Sequence, residues 1–224
     1  MEHESQKYED GRQSKAKKPK FRRRADARPD EVLDAALKLF SRRGFAHTTV
    51  DQVARQAGLS KGAVYLYFPS KKALLTGLVR RAVGPVADVA TATIADYRGD
   101  PRPIIRQLMM MLAARLQDGA FAVPKLIMHE AASAPEVAQM YREEVLDKVL
   151  PALQRLIAQG VEGGHIRKVD PELTVRTVVG PVMFHFLLSE VFSIRPDDGI
   201  ALERLIDNHT TIIFAGLEPE EARP

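Results

Sequence analysis

The sequence predicts an all-α chain of about nine helices: a small three-helix unit carrying a helix-turn-helix, then a larger helical unit. Apolar residues recur at helical spacing through most of the 224 residues, broken by Gly and Pro, with no alternating strand pattern. The run from Gly44 to Leu75 has two short helices joined by a tight turn. Basic charge is concentrated in the same front third.

The first helix is expected over Asp30–Arg43, with Val32, Leu33, Ala36, Leu37, Leu39 and Phe40 on its apolar side. Thr49 with Gln52 three residues on has capping-box spacing, and Val50, Val53, Ala54 and Ala57 supply a short buried face. Gly58 can close that helix in the left-handed region. Ser60 caps a second helix, Lys61 to Phe68, which Pro69 stops because proline disfavours helical geometry in the residue before it. Val64 and Phe68 lie on one side of this helix, leaving Lys61, Gly62, Tyr65 and Tyr67 for the outside. Two helices so joined are the arrangement in which the second enters a DNA major groove. Gly62 costs about 1 kcal/mol of helix propensity against alanine, consistent with close approach to a phosphate or base edge. Ser70 caps the next helix, and Lys71 and Lys72 place cations at its positive end, a penalty that a nearby phosphate would reverse.

Charge agrees. Residues 11–81 carry 18 Lys and Arg against 5 Asp and Glu, a net of +13; residues 82–224 carry 14 against 20, a net of −6. Such asymmetry points to a polyanion partner for one unit only. Residues 1–25, with Lys15, Lys17, Lys18, Lys20 and Arg22 to Arg24, have few apolar groups and are expected to be a disordered arm that adds affinity through phosphates.

The segment from about Ala27 to Val83 resembles the N-terminal domain of the tetracycline-repressor (TetR) family. The resemblance is carried by the first helix, Gly44-Phe45, Thr48-Thr49-Val50, Val53-Ala54, Ala57-Gly58-Leu59-Ser60-Lys61-Gly62, Tyr65, Tyr67-Phe68 and Ser70-Lys71 with Leu74. It implies an all-helical homodimer that binds double-stranded DNA at a palindromic operator and is released when a small ligand enters its C-terminal domain. It also implies DNA contacts by Thr49, Ser60, Lys61, Gly62, Tyr65, Tyr67 and Lys71, with Phe68 in the core. Lys72 departs from the acidic residue common there and would add a phosphate contact. On this reading residues 26–86 form the DNA-binding domain, with the helix-turn-helix at about 49–68, and residues 87–224 sense ligand and dimerise. Residues 124–192 also resemble the C-terminal domain of one TetR subgroup.

In that second unit a helix kinked at Gly84-Pro85 is expected from Ser70 to about Tyr97, then helices at Ile104–Gln117 and Pro124–Ser133. A long one follows at Pro135–Val161, stepped at Pro151; the last two span Asp170-Pro171 to Phe192 and Ile200 to Ala215. Met109, Met110, Phe121 and Met128 are candidates to shape an apolar ligand site, with His129, Tyr141 and Phe184 beside them. The last two helices are apolar around much of their circumference, and Phe186, Val191, Leu202, Leu205, Ile206 and Ile213 are assigned to a two-fold interface.

Cysteine is absent, which removes disulfides, thiolate catalysis and cysteine metal sites; a reducing bacterial cytoplasm fits. No cofactor is expected, no apolar run approaches the roughly 20 residues of a membrane span, and His129, His165 and His185 lack ligand spacing. Nor is there a phosphate-cradling glycine loop or a catalytic carboxylate pair, so a non-enzymatic regulator is expected. The alternative is an architectural DNA binder that reads no sequence and senses nothing; it would leave residues 82–224 without a task.

Overall fold

The structure, a computed structural model, describes the backbone of residues 20–219 and the side chains from residue 29 onward. In chain order the helices are α1 (Lys20–Arg43), α2 (Val50–Gln56), α3 (Lys61–Tyr67), α4 (Lys71–Ala82), α5 (Gly84–Ala95) and α6 (Pro101–Arg115). They continue as α7 (Ala122–Glu130), α8 (Pro135–Tyr141), α9 (Asp147–Glu162), α10 (Pro171–Glu190) and α11 (Leu202–Leu217). Two π-turns follow α6 and α8: Leu116–Ala120, which is kinked at Gly119 where φ is +94°, and Arg142–Leu146. The described residues contain no strand. The fold is all-α, as the sequence predicts.

Several boundaries differ from the expected ones. Part of the arm, residues 1–19, lies outside the described residues, but from Lys20 the backbone is already helical and passes through Pro29. Proline there removes one i→i−4 bond and crowds the preceding turn, a cost that the helix-favouring alanines and arginines around it offset only in part. The expected kinked helix after Ser70 is two helices, α4 and α5, that meet at Val83; Pro85 occupies the first turn of α5, where its missing N–H costs nothing. Helix α6 begins at Pro101 rather than Ile104, because the Asp100 carboxylate accepts from the Arg102 N–H at 3.0 Å. The irregularity in the long helix is the π-turn at Arg142–Leu146; Pro151 is accommodated inside α9.

Two apolar cores result. The first joins Val32, Ala36 and Phe40 of α1, Val53, Val64, and Leu74, Leu75 and Leu78 of α4 to Val123, Leu126 and Ile127 of α7, Val137 and Met140 of α8, and Val145. The helix-turn-helix therefore shares its core with part of the second unit. Packing is tight: a Cβ on Gly77 would lie 2.8 Å from the Phe68 ring and 3.0 Å from Leu33. The second core is built from α5, α6, α9, α10 and α11 around Ile105, Leu156, Ile157, Phe186 and Ile206.

Polar contacts grip the end of α4. Arg80 donates twice to Glu144, both at 2.9 Å, and Arg81 reaches Asp34 at 2.7 Å and Asp30 at 3.3 Å. Arg115 of α6 donates to the carbonyls of Arg81 at 3.0 Å and Ala82 at 3.2 Å. A cation thus sits at the negative end of α4, where the helix dipole favours it.

Candidate functional site

The helix-turn-helix is assembled by local hydrogen bonds that the sequence encodes. The Thr49 hydroxyl accepts from the Gln52 N–H at 3.3 Å, and the Gln52 side chain accepts from the Thr49 N–H at 3.0 Å, a complete capping box. Thr48, beside it, is buried and donates to the Gly44 carbonyl at 2.8 Å, so two adjacent threonines have opposite tasks. Gly44 and Gly58 both adopt positive φ, +82° and +66°, at the two turns. Ser60 caps α3 by accepting from Ala63, and Ser70 caps α4 by accepting from Ala73.

Helix α3 buries Val64 completely and leaves Lys61, Gly62, Tyr65, Leu66 and Tyr67 on the surface. A seven-residue helix is too short to persist alone, so Val64 and the half-buried Phe68 are what hold it on the first core. Nothing lies within 4 Å of a Cβ built on Gly62. Its missing side chain is therefore not required by any neighbour within the chain. Lys61 reaches over the Tyr65 ring at 6.0 Å. Leu66, 83% exposed on the outer face, escaped the sequence reading.

Lys71 differs from its expected placement as a free clamp. Its ammonium donates to the carbonyls of Phe45 at 2.7 Å and Ala46 at 3.0 Å, and stands 4.5 Å above the Phe45 ring. It ties α4 to the turn between α1 and α2. Lys72 remains exposed.

Helices α5 to α10, with the second π-turn, line a partly open cavity of about 450 Å³. Its lining side chains are hydrocarbon and thioether except for Tyr141, whose burial pushes the phenol above its ordinary pKa. Met109, Met128 and Tyr141 of the expected ligand set line it. Met110, Phe121, His129 and Phe184 do not. Met110 is half-buried in the second core, and Phe121 is wholly inside it, its ring 5.7 Å from that of Phe186. His129 is turned to the surface and Phe184 is 58% exposed. The sequence reading missed Ala87, Ala90, Leu108, Val149 and Val182; their signal, small and branched residues on facing helices, is the same as that of ordinary core.

The expected interface residues also divide. Phe186, Ile206 and Ile213 are buried within the protomer, because α10 already packs on α6, α9 and α11. Leu202 and Leu205 are half-buried, and Val191 is exposed near the end of α10. The apolar side chains that remain outside on these two helices are Leu173, Phe184 and Ile212, with nothing near a Cβ on Gly180.

A family model described as bacterial regulatory proteins of the tetR family matches residues 32–78. A second, the tetracyclin repressor-like C-terminal domain, matches residues 96–207, half of the chain. This chain belongs to the TetR family. Among curated relatives, the HTH-type transcriptional regulator RutR of Escherichia coli K12 is 26% identical over 203 residues, covering 88% of this chain and 93% of its own. SmeT, the repressor of the Stenotrophomonas maltophilia multidrug efflux pump SmeDEF, superposes in its triclosan complex with a TM-score of 0.70 at 23% identity, over 88% of this chain and 95% of its own. FadR from Bacillus subtilis, in complex with stearoyl-CoA, gives a TM-score of 0.63 at 21% identity, over 84% and 99%. As a TetR member the protein is a transcriptional regulator with a helix-turn-helix DNA-binding domain. Among the described residues no helix is long and apolar enough to cross a membrane.

Proposed function

We propose that this TetR-family regulator is a homodimeric repressor that binds a palindromic operator through α3 and releases it when a small, largely apolar ligand occupies the cavity. The observation that carries the reading is the shared core. Ile127 and Val145 belong both to the cavity wall and to the core that supports the helix-turn-helix, and Val83 does so where α4 meets α5. A ligand that moves these side chains must repack the support of α3, since close-packed interiors transmit rather than absorb such changes. Relatives solved with triclosan and with stearoyl-CoA support a small-ligand trigger.

On the DNA side, Lys61, Tyr65, Tyr67 and Lys72 supply donors for phosphates, Gly62 allows close approach, and Leu66 adds an apolar reading contact. Thr49 and Ser60 sit at the two helix N-termini, where free N–H groups suit phosphate. Lys71 acts by holding the turn before α2. The two-fold partner would be met by the outer face around Leu173, Phe184 and Ile212, a revision of the set expected from sequence.

Selection of genomic fragments retained by the purified protein, followed by competition with bulk DNA, tests the reading. A palindromic consensus bound far more tightly than random sequence is the expected result. Equal affinity for all duplexes would overturn it in favour of an architectural role.

A further inference from the structure

The cavity has one difficulty as a complete ligand site. Among its lining side chains only that of Tyr141 is polar, so a charged group placed inside would lose its water with little to replace it. A charged ligand must therefore keep that group outside. Just beyond the wall lies a second hollow of about 570 Å³, a groove between α1, α7 and the end of α10. Met128, 49% exposed, lines both spaces.

The groove differs in chemistry from the cavity. Lys125 and His129 of α7 and Ser41 of α1 stand among Leu187 and Val191 of α10. The Lys125 ammonium donates to the Glu190 carbonyl at 2.9 Å, which uses one of its three N–H bonds. His129 is held through Nδ1 by the buried Glu130 carboxylate at 3.1 Å, which fixes the ring at the surface. Successive faces of α7 thus present hydrocarbon to the cavity and a cation to the groove, with a flexible thioether between.

Resting on the ligand-sensing reading above, we propose that the groove is the headgroup subsite of an elongated amphiphile with an anionic head. The tail fills the cavity, the chain passes Met128, and the head is bound by Lys125 beside His129. The head then lies against Ser41 and Phe40, the last turn of α1. The ligand touches the DNA-binding unit directly, so tail and head have separable roles: the tail supplies affinity, and the head wedges against α1.

Dodecanoate and dodecanol, which share a tail and differ in charge, test this with the full-length protein by calorimetry and thermal shift. Dodecanoate is expected to bind about tenfold tighter, with that advantage lost in Lys125→Gln and at high salt while dodecanol is unaffected. The glutamine amide can still donate to Glu190, and position 125 is exposed, so folding is preserved. Equal binding of the two compounds, insensitive to Lys125→Gln, would overturn the headgroup subsite and leave ligand sensing intact. Stabilisation by compact apolar compounds but by neither amphiphile would overturn the ligand class. No stabilisation by any lipophilic compound would remove the sensing reading itself.

Discussion

The outer face of α3 and the wall of the cavity obey opposite rules. On α3 the side chains proposed to meet DNA are those its own core leaves outside: Lys61, Tyr65 and Leu66 are exposed around a single buried anchor, Val64. In the cavity the lining side chains are apolar ones that the core has almost absorbed, such as Ala90, Leu108 and Val182. A DNA-reading surface is recognised by departures from good packing, a glycine in a helix or a leucine in water. A cavity is recognised only by a shortfall of volume, to which many helices contribute small parts.

The glycines sharpen the contrast within one domain. Gly62 has open space around its missing Cβ, whereas Gly77 is pressed against Phe68 and Leu33. One is small toward open space, the other toward its own core.

Perturbations that separate the two regions rank as follows. Phe184→Asp with Ile212→Asp places charge on the proposed two-fold face, and sedimentation should report monomers with operator affinity reduced by orders of magnitude. Lys61→Ala and Tyr65→Ala should each weaken operator binding by about 1–3 kcal/mol in anisotropy titrations, with melting and oligomeric state unchanged. Lys61→Ala should also flatten the salt dependence by about one unit of log–log slope. Tight, specific binding that persists in both variants would refute the assigned face.

The next pair has opposite signs. Gly77→Ala should destabilise by about 1–3 kcal/mol through overpacking. Gly62→Ala should raise stability by up to about 1 kcal/mol, as a propensity gain, and yet weaken DNA binding. Denaturant titration beside a DNA-binding assay separates them. If Gly62→Ala bound DNA as well as the parent, the close-approach argument would fail.

The smallest expected effect concerns the latch between α4 and the second π-turn. Hydrogen bonds from Arg80 hold the Glu144 carboxyl below its usual range, against the opposing pull of partial burial. A depressed carboxylate contributes stability above its unfolded pKa, about 4.3, and loses that contribution as pH falls through the folded value. Glu144→Gln should therefore cost stability near neutrality, under about 1 kcal/mol because Arg80 is exposed, and the difference should vanish in acid. A gap that is constant with pH would assign the effect to packing instead.

Much of the DNA-binding unit was legible because its signals are local. Thr49 with Gln52, Ser60 with Ala63 and Ser70 with Ala73 are bonds across three residues, and Gly44 and Gly58 take the positive φ that their turns demand. The start of α6 carries in Asp100-Pro101 the same signal that opens α10 at Asp170-Pro171. Lys71 was not legible: a lysine after a cap reads as a phosphate contact until the turn at Phe45 and Ala46 is brought against it.

By itself the sequence determined the helical class, the caps and turns of the helix-turn-helix, and the outward set on α3 apart from Leu66, since each depends on residues within a turn or two of one another. Tertiary structure alone decided which faces of α10 and α11 remain free, because Phe186, Ile206 and Ile213 are apolar whether they meet a partner or their own protomer. It alone decided that the cavity shares its wall with the support of α3. Burial depends on which helices are neighbours in space, and apolar periodicity specifies a face without naming what covers it.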